Sequence, residues 1–366
     1  MLALAAVPLL VGSVWCATAC GFGTMAMARL VAGAGVGVVS ACVPLFISEV
    51  APTALRGALG GANQVMIGAG ILAALLANVA LGPAMWRWTF ALAALPAALL
   101  LLGATGGLVT ESPRWLAANG RTAEARKAAA ALWGAAAESE STAGDKPTSG
   151  EGSGWGELFS RRHRAPVLAG VALFALQQLS GINAIIYFSS DVFRSAGVGS
   201  AALASAFVGF VNVAGSTAAM GAIEKYGRKA LLTVSFAGMG VAMAVLSCSM
   251  ATNILPPSMA AAVAVTGTVV YILAFGVGVG PVPALLVPEM NAEAVRSKAG
   301  SAAMLSHWAF NIVVGQYFLP AAAAVGVGGV YAFFALVCAL GIAFVRTSVP
   351  ETTGRSLESL EASSAV

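Results

Sequence analysis

The stretch RLVAGAGVGVVSACVPLFISEV, residues 29–50, places Gly33, Gly35 and Gly37 at alternate positions inside a run with no charge between Arg29 and Glu49. Alternating glycines can cradle a phosphate. A dinucleotide fingerprint, however, needs a strand before the glycines, a helix opening at them, and an acidic residue about 20 positions on that meets a ribose. That context is missing here. The nineteen uncharged residues from 30 to 48 are instead enough to cross a hydrocarbon layer of roughly 30 Å at about 1.5 Å per residue. Lipid tails give helices no hydrophobic reason to associate, so small residues that let two backbones approach do that work. The glycines are therefore expected to pack helices within a membrane.

Composition extends this reading to the whole chain of 366 residues. Charged residues make up 9% and hydrophobic ones 59%, against roughly 25% charged in a soluble domain. Most of the chain cannot face water, and the fold class is an all-α polytopic membrane protein. The five cysteines (16, 20, 42, 248 and 338) lie in or beside apolar segments, giving neither a disulfide framework nor a metal spacing.

Apolar spans occur near 1–19, 28–48, 59–81, 87–109, 166–190, 201–223, 230–251, 259–288, 300–322 and 327–346, ten helices in all. Sixteen of the nineteen Lys and Arg residues fall in alternate connections, and only Arg29, Arg87 and Arg194 fall on the other side. By the positive-inside rule both ends and the long central loop face the inner side. The organisation expected is a four-helix bundle over 1–109, an inner-side loop over 110–165, a six-helix bundle over 166–346 and an inner-side tail over 347–366.

Within the central loop, RTAEARKAAAALWG (121–134) has helix-forming composition, whereas AESESTAGDKPTSGEGSG (137–154) reads as a flexible linker. GWGELFSRRHR, from Gly154, then has the character of a short interfacial helix, with Trp155, Leu158 and Phe159 against Arg161, Arg162 and Arg164. For that basic cluster a solvated face is favoured over a lipid or partner site.

An internal repeat carries the most information. Glu49 and Arg56 are seven apart just past an apolar run, and Glu289 and Arg296 repeat that spacing at an offset of 240. The same offset takes Glu111 of ESPR to Glu351 of ETTGR. A parallel duplication in a membrane protein indicates a transporter of two similar bundles holding its substrate between them near the midplane. The counterpart of EKYGRK (224–229) would fall before Met1, so two further apolar spans are expected upstream, making twelve.

Polar side chains able to face a cavity are mostly amides: Gln64, Asn78, Gln177, Gln178, Asn183, Asn212, Asn311 and Gln316. An amide both donates and accepts, as a sugar hydroxyl requires, and an aromatic face such as Trp308 can cover the apolar side of a sugar. A charged solute would need countercharges, and the spans hold none at depth. In QQLSGIN, Gly181 permits a helix break, tolerated at membrane depth beside a cavity or within protein. Interhelical hydrogen bonding is the better reading for Asn78 and Gln316, and equally good for Asn311. Glu and Arg at the helix ends can pair across the bundles as a conformational latch, buried when closed and wetted when open.

Arg29, Gly33, Gly37, Glu49, Arg56-Gly57, ESPRWL (111–116), QQLSGIN (177–183), EKYGRK, GPVPALLVPE (280–289) and ETTGRSLE (351–358) together resemble the sugar porters of the major facilitator superfamily. The resemblance runs from end to end of the chain. More narrowly, GPVPALLVPE, with Ala284 where many porters have Trp, and HWAFNIVVGQYFLP (307–320) are similar to the plastidic glucose-transporting branch of plants and algae. It implies the major facilitator fold with ten of its twelve helices present, and hexose, glucose foremost, bound at Gln64, Gln177, Gln178, Asn183 and Asn212 with Trp308 and Asn311 nearby. His307 stands where an amide is common, as a rim contact or a buried imidazole. The latch role falls on Glu49, Arg56, Glu111, Arg114, Glu224, Arg228, Glu289, Arg296 and Glu351.

Neither a nucleophile nor an acid–base pair emerges, so no enzyme, catalytic residue, cofactor, metal or nucleic-acid partner is expected. No carboxylate lies deep in a span, which favours a facilitator over a proton symporter and leaves proton coupling open. The alternative is a transporter-like remnant or sugar sensor. A monomer in the bilayer is expected, in the plastid inner envelope by resemblance, with the plasma membrane as the alternative.

Overall fold

The computed structural model describes residues 2–51, 56–134, 154–195, 197–251 and 256–352. Among them there is no strand, and the apolar spans expected from the sequence fall largely on helix. A backbone in lipid must satisfy its own N–H and C=O groups, so helices are the available solution for isolated spans. The chain divides into two compact units, residues 1–60 with 77–152, and residues 61–76 with 153–366.

The first unit contains α1 (Leu2–Thr18), α2 (Phe22–Val50), the two ends of α3 (Arg56–Leu81), α4 (Trp86–Leu92) and α5 (Ala94–Thr105). On the connection beyond them lie α6 (Pro113–Ala118) and α7 (Thr122–Trp133). Helix α1 packs along α2. A β-carbon added at Gly35 would fall 2.6 Å from Leu9 Cγ, and one at Gly12 would fall 2.5 Å from Ala32 N. Those two glycines are where the helices touch. Around Gly33 and Gly37 no other described atom lies within 4 Å of such a carbon, so one glycine of the alternating three serves this contact.

Ser112 caps α6 by accepting from Trp115 N at 3.2 Å, and Pro113 occupies the first helical position, where its missing N–H costs nothing. Leu116 of α6 packs with Ala125 and Ala128 of α7. Trp133 Nε1 donates to Val50 O at 2.8 Å, tying the end of α7 to the end of α2. The helix expected over 121–134 is thus present; residues 137–153 of the expected linker lie outside the described residues.

The second unit begins with a 3₁₀ helix, Trp155–Phe159, shorter than the interfacial helix read from the sequence. It continues through α8 (Arg164–Leu179), α9 (Ile182–Ser195), α10 (Ala201–Tyr226), α11 (Arg228–Ala251), α12 (Pro257–Val277), α13 (Val282–Met290) and α14 (Glu293–Ser348). The middle of α3 packs on α10 in this unit: carbons added at Gly61, Gly68 and Gly209 would meet Met220, Val213 and Leu75 respectively. The core is a run of large apolar side chains, including Phe193, Phe236, Met239, Met243, Leu246, Ile272 and Leu286.

Three breaks shape this unit. Gly181, at φ +97°, separates α8 from α9, the break expected in QQLSGIN. Gly326, at φ +77°, interrupts α14 between the two spans the sequence assigns to it. Residues 278–281 separate α12 from α13, where the sequence reading has one uninterrupted span. The apolar content runs across that turn without a gap, so hydropathy alone carries no sign of it.

Candidate functional site

The α8–α9 and α12–α13 breaks meet through one side chain. Gln177, in the last turn of α8, donates from Nε2 to Val279 O at 2.6 Å and to Gly280 O at 3.3 Å. Those carbonyls belong to the α12–α13 turn, which the helices cannot satisfy. Ser235 of α11 holds the same turn from the other side, accepting from Val279 N at 2.9 Å and donating to Ala274 O at 2.6 Å. A β-carbon at Gly278 would sit 2.4 Å from Leu231 O, so the turn lies directly against the α11 backbone. Tyr271 caps the first break in turn, its hydroxyl donating to Ser180 O at 3.0 Å while Ser180 Oγ donates to Gln177 O at 2.7 Å.

Beside Gln177 lies a network of amide and imidazole groups. His307 Nδ1 is 3.2 Å from Gln177 Oε1 and 2.9 Å from Gln178 Nε2. Carrying a proton, Nδ1 donates to Gln177; without one, it accepts from Gln178. His307 Nε2 also stands 3.2 Å from Gln178 Nε2, so the neutral ring protonated on Nδ1 donates to Gln177 and accepts from Gln178 at once. Asn183 Nδ2 donates to Gln178 Oε1. Gln178 is 1% exposed and Gln177 4%, so both amides are held by protein partners, as buried polar groups must be.

Phe174 meets the His307 ring edge-on at 5.4 Å between centroids, and Trp308 meets it at 5.2 Å. Trp308 Nε1 is buried without an acceptor among the described residues. One turn further along α14, Asn311 Nδ2 donates to Tyr187 OH at 3.3 Å.

Of the residues singled out by sequence, Gln177, Gln178, Asn183, His307 and Trp308 therefore come together, with Asn311 on the same stretch of α14. Asn212 and Gln64 form a separate polar pair of positions where α10 meets α3. Asn212 is buried and accepts from Ser216 Oγ at 3.4 Å. Gly68 packs over it, its added carbon 3.7 Å from Asn212 Oδ1. Gln64 lies four residues before Gly68, hence on the same helix face, and is half-buried. Ser235, Tyr271, Ser180, Phe174 and Tyr187 were missed. A serine or tyrosine within an apolar span carries no signal of which distant backbone group it will reach.

Of the latch residues, Arg228, Glu289 and Glu351 come together. Arg228 Nη2 donates to Glu289 Oε1 at 3.1 Å, and Thr352 Oγ1 donates to Glu289 Oε2 at 2.6 Å. Glu351 accepts from the backbone N–H groups of Arg228 and Lys229 at 3.0 and 3.1 Å. Arg296 Nε donates to Asn291 O at 3.3 Å. Glu111 accepts from the backbone of its neighbour Ser112 at 3.2 Å. The side chains of Glu49, Arg56, Arg114 and Glu224 lie outside the described residues.

Helical bundles in lipid, with broken helices and uncharged polar groups gathered at the breaks, define a membrane transport fold. The same fold is found in the proton:xylose symporter XylE bound to 6-bromo-6-deoxy-D-glucose, with a TM-score of 0.82 and 27% identity over 99% of this chain and 82% of that one. An inward-open structure of XylE from E. coli gives a TM-score of 0.77 with 27% identity, again over 99% of this chain and 81% of that one. This is the major facilitator fold.

The chain belongs to the family described as "Sugar (and other) transporter", whose profile matches residues 1–363. It is 46% identical to plastidic glucose transporter 4 of Arabidopsis thaliana over 98% of its length. It is 39% identical to probable plastidic glucose transporter 2 of the same plant, again over 98%. The chain spans 66% of the length of the first of these relatives and 74% of the second. The family is one of transporters, not enzymes.

Proposed function

We propose that this chain carries out hexose transport, with glucose as substrate, by alternating access in a plastid envelope membrane. The observation that carries the reading is the Gln177–Gln178–Asn183–His307 network at the α8–α9 break. Its groups are uncharged, both donate and accept, and stand beside an indole face, which suits a neutral polyol. The names of the plastidic relatives support glucose and the plastid. Arriving hydroxyls would replace the partners that Gln178 and Asn183 have within the protein and would give Trp308 Nε1 the acceptor it lacks among the described residues, and Gln64, Asn212 and Asn311 are assigned to the same substrate.

Facilitated movement is favoured over proton symport. Among the described residues carboxylates stand near helix ends: Asp191 beside Arg194 at 3.3 Å near the end of α9, and Glu289 in the last turn of α13. A coupled pump generally uses an acid at membrane depth. The latch around Arg228, Glu289 and Glu351 is assigned to the inner gate, on the side that also holds both ends of the chain, and a monomer suffices for the mechanism.

Uptake of labelled hexose into vesicles holding the purified chain tests this directly. Gln178→Ala should lower uptake by about tenfold or more, the equivalent of one or two hydrogen bonds in a site, while membrane insertion is unchanged. Uptake within twofold of the parent would move Gln178 from the site to the scaffold. Uptake that accelerates with an imposed proton gradient would replace the facilitator by a symporter.

A further inference from the structure

Residues 154–164 took no part in the site above, and the structure divides them in a way the sequence did not. Leu158 is 2% exposed and packs with Val167 of α8 and with Val295 and Ala299 of α14. It belongs to the protein interior and pins the segment in place. Trp155 and Phe159, by contrast, stand 61% and 75% exposed. Two large rings left outward on a segment that is itself anchored are not a solvated face.

Arg161, Arg162 and Arg164 are exposed as well. Among the described residues no carboxylate lies within ion-pairing distance of any of them. The local acid, Glu157, stands instead 3.9 Å from Nε2 of the buried His163. Arg164 is the first residue of α8, which opens the apolar span Arg164–Arg194. Phe159 and Trp155 stand five and nine residues before the start of that apolar span, and the three guanidinium groups are thus fixed, by chain continuity, within a turn of it. That is the depth at which phospholipid phosphates lie and at which tryptophan is enriched.

We propose that residues 155–164 are a binding site for anionic phospholipid headgroups of the bilayer the chain crosses. Arg161, Arg162 and Arg164 take the phosphates, and Trp155 and Phe159 insert beside the acyl chains. Planar guanidinium forks match phosphate oxygens two at a time, and an anionic surface adds attraction for each basic residue near it. An acidic soluble protein would also suit the arginines but would leave the two rings without an apolar bed. The bilayer supplies both and is always within reach. The site stands whether or not the chain carries sugar.

Brominated lipids test it. The full chain is reconstituted in vesicles mixing phosphatidylcholine and phosphatidylglycerol with one of the two brominated, and the Trp155 fluorescence is isolated as the difference between parent and Trp155→Phe. Phosphatidylglycerol should compete for the site far better than phosphatidylcholine. Each of Arg161→Gln, Arg162→Gln and Arg164→Gln should lower that preference by about fivefold. Should a variant fail to fold, added salt supplies the second measurement, since it must erode the preference of the unaltered protein. Equal competition by the two lipids would overturn the proposal. So would a Trp155 signal quenched by aqueous iodide and untouched by either bromolipid, or one shielded only when a soluble acidic protein is added.

Discussion

At the residue scale, His307 decides how the site is wired. Its Nδ1 lies within reach of Gln177 Oε1 and its Nε2 stands 3.2 Å from Gln178 Nε2, so a neutral ring protonated on Nδ1 serves both glutamines. Glutamine at this position would keep a donor and an acceptor on one side chain, whereas phenylalanine would keep neither and leave Gln178 Nε2 buried. His307→Gln is therefore expected to hold the KM for hexose within a few-fold, and His307→Phe to raise it by about tenfold, as for one buried group left unpaired. Concentration-dependent uptake by the two variants measures this, and a phenylalanine variant with the parent's KM would remove His307 from the wiring. Sequence reading found the amides because an uncharged polar side chain stands out in an apolar span. It could not find that Gln177 spends its Nε2 on Val279 and Gly280, because that depends on which backbone the fold brings within 3 Å.

At the scale of elements, the α12–α13 turn is held by Ser235 on one side and Gln177 on the other. Ser235→Ala would leave Val279 N–H without its acceptor, a loss of about 1–3 kcal/mol for a buried group. Thermal unfolding in detergent should fall accordingly, and turnover should change more than sugar affinity, because the serine holds the turn and not the substrate. An unchanged midpoint would show that the turn is held without it.

Outside the membrane, Glu124 in the first turn of α7 pairs with Arg121 at 2.6 Å. The hydrogen bond from Arg121 and then its charge hold the Glu124 carboxyl below its ordinary range. A depressed carboxylate contributes above its unfolded value and loses that contribution as pH falls through the folded one. Both side chains are about half exposed, and water and salt screen such pairs. Glu124→Gln should therefore leave the unfolding midpoint at neutral pH where it is, and a clear drop would show that α7 depends on the pair. The alanine-rich run made α7 legible in sequence, since propensities act locally. Hydropathy passes over the α12–α13 break, which Gly278, Gly280 and Pro281 mark locally; its support from α8 and α11 is what the sequence does not show.

At the scale of the whole molecule, the repeat at an offset of 240 tied Glu49 to Glu289, Arg56 to Arg296 and Glu111 to Glu351. Arg296 lies at the start of α14, beside the end of α13 that carries Glu289. On the proposed mechanism Arg296→Ala should slow exchange between the two faces more than it weakens sugar binding. Equilibrium binding and counterflow measured on one preparation separate the two, and a sharp fall in affinity with turnover intact would sink the gate assignment.

What the sequence determined by itself is the membrane character, the rough position of the apolar spans, the transporter family and most of the uncharged polar groups that gather at the α8–α9 break. Those follow from rules that act along the chain: hydrocarbon excludes charge, a lone span must be helical, and clustered Lys and Arg mark the spans' ends. What only the tertiary structure decided is how those groups are used. Gly35, and not Gly33 or Gly37, takes the contact with α1 because only that one faces Leu9. Gln177 binds a turn 102 residues away, and Leu158 leaves its aromatic neighbours outward by turning into α14. Each outcome depends on which distant atoms arrive within a few ångströms, and nothing local to the residue records that.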